Sequence, residues 1–313
     1  MTAALSAILS VPAVTRYIWG GGVKRYLLVS LVIVALIAGL MVRGVVGGEK
    51  RVGDPSGDEV SIPSAVQPRG TPSDSVHVES GVARSRSAEY LSRFEAVKDK
   101  ALRGDAAAQL ELSRMYDRCF SVSMSRQQYL SSVDAMALQA AKAAAAMKAT
   151  ARRIADDCAL VEGGSPIPLD AQKEWLKASA ASGNLAAKIR FHVRYAGEAR
   201  ESVADLVQAA VERRDSEAMF ELADLLSTQS SDAELGPFEA VAGDETSAYA
   251  WGIVACRMGA ECGAGSAVIE GSCLNGACAS NYEQLVRRDL LPKGEGERLD
   301  RNIARIDSLL GRK

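Results

Sequence analysis

From Leu27 to Val42 the chain runs for sixteen residues without a charge, and Arg43 is followed by Gly44-Val45-Val46. About 20 apolar residues in a helix span a hydrocarbon core of roughly 30 Å, and an arginine near the end can snorkel to the interface. Residues 26–46 are therefore expected to form one transmembrane helix. A buried core helix of that length would carry polar positions on one face. A cleaved signal peptide would need an A-x-A-like site, and Gly44-Val45-Val46-Gly47-Gly48 is a poor match.

The flanking charges give the span a direction. Arg16, Lys24 and Arg25 precede it and no acidic residue occurs among the first 48 positions, whereas Glu49, Lys50, Arg51, Asp54 and Asp58 follow it. The bias of basic residues toward the cytoplasm places residues 1–25 inside and the C-terminal part outside. Gly20-Gly21-Gly22 before Val23 reads like a ribosome-binding stretch ahead of a valine-type start codon, so translation is expected to begin at Val23. Detection of a peptide containing Tyr17 or Trp19 would refute that start. Setting aside Arg16, Lys24, Arg25 and Arg43 leaves 33 basic residues against 39 acidic ones, a mildly acidic exported part. No basic stripe or tail stands out, which argues against nucleic acid as a partner.

Residues 47–86 are rich in Gly, Pro, Ser and Asp, with Pro55, Pro63, Pro68 and Pro72 spread through them. Such a stretch buries too little to offset its ordering entropy and is expected to be a disordered tether, with His77 solvated. Beyond it the chain is Ala-rich, only 5% of all residues are aromatic, and β-branched runs are scarce, so the exported part is expected to be all-α.

One phrase recurs there with identical spacing: Asp105-x-x-Ala108-x-x-x-Leu112-x-x-x-Tyr116, Asn184-x-x-Ala187-x-x-x-Phe191-x-x-x-Tyr195, and Asp215-x-x-Ala218-x-x-x-Leu222-x-x-x-Leu226. Asp or Asn supplies an N-cap oxygen, and the three positions after it stack on one helix face, Ala permitting close approach of a neighbour. A second amphipathic helix precedes the second and third copies, Gly183 suits a left-handed helix end, and those copies begin 31 residues apart. The run Trp175-Leu176-x-Ala178-x-Ala180-x-x-Gly183-Asn184-x-x-Ala187 resembles the Sel-one-like repeat, a relative of the tetratricopeptide repeat. That resemblance covers about Asp170 to Ser227 well and Ser87 to Arg118 more weakly. It implies an α-solenoid of helix pairs, a protein-interaction scaffold, and a bacterial envelope setting. Between Cys119 and Pro168 the pattern lapses, and an Ala-rich helix is expected over about Val133–Asp157. The repeat domain is thus assigned to 87–235. Residues 236–313 are read as a degenerate repeat beginning near Asp244 with Ala248, Trp251 and Ala255 on one face, then a Cys-rich loop and a capping helix through Leu299, Ile303, Ile306 and Leu310.

All six cysteines follow the apolar span, as expected of disulfides in an exported domain. Cys119 ends one repeat-like helix and Cys158 ends the Ala-rich one, so an antiparallel pair brings them together. Cys256, Cys262, Cys273 and Cys278 fall in a Gly-rich stretch, and their spacing leaves three pairings open. A four-cysteine zinc site fits poorly, since the intervening lengths are five, ten and four residues and only the last approaches a zinc knuckle. No metal and no cofactor is expected.

Catalytic motifs are missing too: there is no phosphate-binding Gly-rich loop, no H-E-x-x-H and no G-x-S-x-G. His192 lies between Phe191 and Tyr195 on a repeat helix, and the pairs Asp156-Asp157 and Asp232/Glu234 read as solvated acids. The sequence thus favours a non-enzymatic, membrane-tethered scaffold in the periplasm of a bacterial inner membrane. It would bind an envelope protein or peptide, with Arg190, Arg194, Arg213 and Arg214 available to acidic partners. Two alternatives stand beside this. One is an envelope enzyme directed at the cell wall, favoured if carboxylates converge near Glu261 and Glu270; the other is a purely structural or stress-related envelope protein.

Overall fold

A computed structural model of the chain describes residues 75–228 and 234–311, with side chains from residue 86 onward. The expected cytoplasmic segment 1–25, the membrane helix 26–46, the tether as far as residue 74, and Asp232 lie outside the described residues. Among the described residues no helix is long and apolar enough to cross a membrane. They belong to one compact unit, Thr71–Lys313.

The unit is helical, without a strand among the described residues beyond one bridge between Gly263 and Asn281. In chain order the helices are α1 (Ser75–Leu102), α2 (Ala106–Met124), α3 (Arg126–Ala137), α4 (Ala144–Asp157), α5 (Ala171–Ala181) and α6 (Leu185–Arg194). These are followed by α7 (Val203–Arg213), α8 (Ser216–Ser227), α9 (Glu245–Arg257), α10 (Ala267–Leu274), the short α11 (Tyr282–Leu285) and α12 (Gly296–Leu309).

The repeat phrase corresponds to local structure in each copy. Asp105 accepts from the Ala108 amide at 2.9 Å, Asn184 from the Ala187 amide at 2.9 Å, and Asp215 from the Ala218 amide at 3.1 Å. The residue before each cap takes a positive φ: Gly104 at 89°, Gly183 at 90° and Arg214 at 51°. A left-handed residue reverses the chain in one step and hands it directly to the cap of the next helix, so each helix pair is joined by a minimal turn. The stacked positions then face inward, with Ala187, Ala218, Leu112, Leu222 and Leu226 fully buried.

A fourth copy begins at Asp244, whose side chain accepts from the Ser247 amide at 2.9 Å after Gly243 at φ 85°. Its register is Asp244-x-x-Ser247-x-x-x-Trp251-x-x-x-Ala255, with Ser standing where the others have Ala. Ser247, Trp251 and Ala255 are buried, and the Trp251 indole donates to the Val241 carbonyl at 2.8 Å.

Two boundaries differ from expectation. Helix α1 starts at Ser75, so the stretch 75–86 assigned to the tether is helical instead. Its last residue is drawn into packing, since Arg86 Nε lies 3.4 Å from Asp157 Oδ1. The helix expected over Val133–Asp157 is two helices, α3 and α4, folded back on each other through Val133, Ala137, Met147 and Ala151. Alanine propensity favours continuing the helix by only tenths of a kcal/mol per residue, whereas burying Val133 and Met147 contributes more than 1 kcal/mol each. Packing wins and the helix breaks at Leu138.

Helix α2 serves two cores. Its Leu110 joins the larger one, built from α5 through α12, while Leu112, Tyr116 and Cys119 join Phe94 of α1 and Ile154 of α4. The amphipathic pattern of the last helix is observed, with Leu299, Ile303, Ile306 and Leu310 buried. All six cysteines form disulfides. Cys119–Cys158 matches the expected pair, with Cα atoms 5.3 Å apart. The remaining four pair with their nearest neighbours in sequence, Cys256 with Cys262 and Cys273 with Cys278.

Candidate functional site

Each capped helix that buries one stripe leaves another stripe on its far side. On α2 that stripe is Arg114, Asp117, Arg118 and Ser121; on α8 it is Glu217, Phe220, Glu221 and Asp224; both follow i, i+3, i+4, i+7, so each set lies along a single face. Arg190 and Arg194 on α6, which packs against α8, contribute two more charges one turn apart. These faces line a cleft of about 510 Å³. Its far wall is α10 with the loop before it, which supply Glu261, Val268, Glu270 and Leu274. The volume falls within the ~300–1,000 Å³ usual for ligand pockets.

The floor is an ion-pair network across helices far apart in sequence. Glu221 is 6% exposed and accepts from Arg114 Nη2 at 2.9 Å and from Arg190 Nη1 at 3.2 Å. Asp117 accepts from Arg190 Nη2 at 3.2 Å and from Arg194 Nη2 at 2.9 Å. On the other side Glu270, 4% exposed, accepts from Arg118 Nε at 2.8 Å and from Arg153 Nε at 3.2 Å. Arg118 also reaches Asp157 at 2.8 Å and lies over the Tyr90 ring, 5.0 Å from its centroid. Burial opposes the charge on Arg114 and Arg118, but Glu221 and Glu217 around the first, and Glu270 and Asp157 around the second, outweigh it and raise both pKa values. Both guanidiniums stay charged at any physiological pH.

The cysteines brace these same walls. Cys119 follows Arg118, Cys158 follows Asp157, Cys262 follows Glu261, and Cys273 lies one turn beyond Glu270. The Thr150 hydroxyl is 3.7 Å from Cys273 Sγ, and Arg118 Nη1 is 3.9 Å from Cys158 Sγ.

The arginines singled out from the sequence divide into two groups. Arg190 and Arg194 line the cleft, already paired with Asp117 and Glu221. Arg213 is exposed at the end of α7, and Arg214 donates to the Leu310 carbonyl at 2.8 Å; neither lines the cleft. His192 is half-buried on α6. Glu261 and Glu270 do line the cleft together, but every oxygen of Glu270 is held by an arginine. The residues missed by sequence reasoning, Arg114, Arg118 and Glu221, pair across 103 to 152 positions. The i, i+3, i+4, i+7 polar stripe on α2 is the signal that would have found two of them.

Comparison of the chain with protein-family models, with curated proteins and with solved structures finds no match.

Proposed function

We propose that the chain is a non-enzymatic scaffold of irregular helix-pair repeats, tethered to a bacterial inner membrane by residues 26–46, that holds an envelope protein or peptide in this cleft. The observation that carries the reading is that α2, α6 and α8, each opened by the same Asp/Asn cap phrase, present their polar faces to one concave surface. Repeated use of one helix type to build a continuous recognition surface is how solenoid scaffolds work. The Sel-one-like resemblance of residues 170–227 and the three disulfides, which suit an oxidising compartment, support the same reading.

A wall-directed enzyme is the second reading, favoured by the presence of Glu261 and Glu270 in one cleft. Against it, a general acid or base needs a carboxyl accessible to substrate, and Glu270 is enclosed by Arg118 and Arg153. Crosslinking in intact cells with the full chain as bait, together with a reporter fused after Lys313, tests the scaffold reading. Reproducible capture of one envelope protein and an exported reporter are the expected results. Turnover of cell-wall polymer by the purified chain would favour the enzyme, and a reporter active only in the cytoplasm would overturn the topology.

A further inference from the structure

The charge that the cleft offers to solvent differs from the charge of its floor. Arg114, Arg118 and Arg190 have side-chain exposures of 29%, 17% and 19% and spend their donors on Glu217, Glu221, Glu270, Asp157 and Asp117. The exposed groups at the rim are mostly carboxylates. Glu217 is 49% and Asp117 41% exposed, and Asp224 and Glu261 are exposed as well, against Arg194, which is 35% exposed and paired with Asp117. Between these acids lies an apolar strip of Phe220 and Val268, both half-buried, with Leu274 behind them. Phe220 is held in place by an edge contact to Tyr282 with ring centroids 5.3 Å apart.

We infer that the occupant of this cleft is a peptide segment of a partner protein in which lysine or arginine residues flank an apolar side chain. The inference rests on the scaffold reading and specifies its partner. A cationic segment places its charges against Glu217 and Glu261, on opposite walls, while its apolar side chain covers Phe220 and Val268. An acidic segment would have to displace Asp117 or Glu221 from the guanidiniums of Arg114, Arg190 and Arg194 that they already pair with, and would meet the rim carboxylates on the way in. Attraction between opposite potentials also sets a salt-dependent association rate, because rim charges in water are screened over roughly 8–10 Å.

The test uses the purified, oxidised full chain and three short fluorescent peptides read by anisotropy: one with Lys and Arg flanking Leu and Phe, one with Glu in place of every basic residue, and one with Ser in place of the apolar residues. The first peptide is expected to bind, weaken as salt is raised, and exceed the other two by about tenfold. Glu261→Lys, which reverses an exposed rim charge, and Glu217→Lys/Glu261→Lys are each expected to weaken the first peptide. The double variant is expected to bring the Glu-flanked peptide's affinity above that of the first. Equal binding of the first peptide by wild type and both variants, with unchanged circular dichroism, overturns the inference. Preferential binding of the Glu-flanked peptide overturns it while leaving the scaffold reading intact. Binding of none of the three overturns the inference, while the scaffold reading stands or falls separately on the crosslinking in intact cells.

Discussion

Arg118 on α2 grips Glu270 on α10 through two bonds, Nε to Oε2 at 2.8 Å and Nη2 to Oε1 at 3.2 Å, across 152 positions of chain. This pair ties the first capped helix to the cysteine-rich wall opposite, so the cleft's width depends on it. Removing one member of a buried pair strands the other charge, at a cost of about 3–5 kcal/mol, whereas an exposed pair contributes roughly 0–1 kcal/mol. Arg118→Met is therefore expected to lower stability in urea unfolding by several kcal/mol. Arg301→Met, which removes the exposed partner of Glu297, is expected to change it by less than about 0.5 kcal/mol.

The three disulfides are expected to contribute unequally. Chain-entropy arguments give about 4 kcal/mol for closing a loop of 39 residues and about 2 kcal/mol for loops of 6 or 5. Cys119→Ser/Cys158→Ser should then lower the urea midpoint further than the corresponding double substitution at Cys256 and Cys262. Midpoints in the reverse order would show that the short staples restrain more than local loops.

In the fourth repeat copy, restoring the alanine of the other three is expected to do harm. The Ser247 hydroxyl donates to Asp244 at 3.0 Å and accepts from the buried Asn302 amide at 3.2 Å. Ser247→Ala leaves that amide short of an acceptor, costing about 1–3 kcal/mol in denaturant unfolding. A neutral or stabilising outcome would remove Asn302 from the account of how α12 is fastened to α9.

The copies themselves are readable because a cap and three positions four apart are local features, and the phrase needs only twelve residues of chain to show itself. The fourth copy was assigned Ala248 as its inward position because Ser247 hid the spacing. The break at Leu138 carries no Gly or Pro, so nothing local marks it; it follows from how Met147 packs back on Val133. The cleft was half legible. Arg190 and Arg194 were identified, but whether an arginine faces a partner or an internal acid depends on Asp117 and Glu221, which adjoin them only after folding.

Acid should loosen the packing of α1 on α2. Glu162 accepts from Lys98 Nζ at 2.7 Å and from the Tyr116 hydroxyl. Burial alone would raise its pKa, but the bonds from Lys98 and Tyr116 outweigh burial and hold it below the usual carboxylate value. A carboxyl whose folded pKa is depressed contributes stability that is fully present above its unfolded pKa, about 4.5, and is lost as pH falls through the lower folded value. Glu162→Gln is expected to flatten the decline in melting temperature below about pH 4.5. An unchanged slope would place the acid sensitivity elsewhere.

The claim that α2, α6 and α8 form a docking cleft is tested most directly by site-specific photocrosslinking in intact cells. A photoreactive phenylalanine analogue at Phe220, on the cleft's apolar strip, is compared with the same group at Arg301 on the exposed side of α12. A discrete adduct to one envelope protein from position 220 and none from 301 is the expected result. Identical adduct patterns from the two positions, or no adduct from 220, would contradict the account.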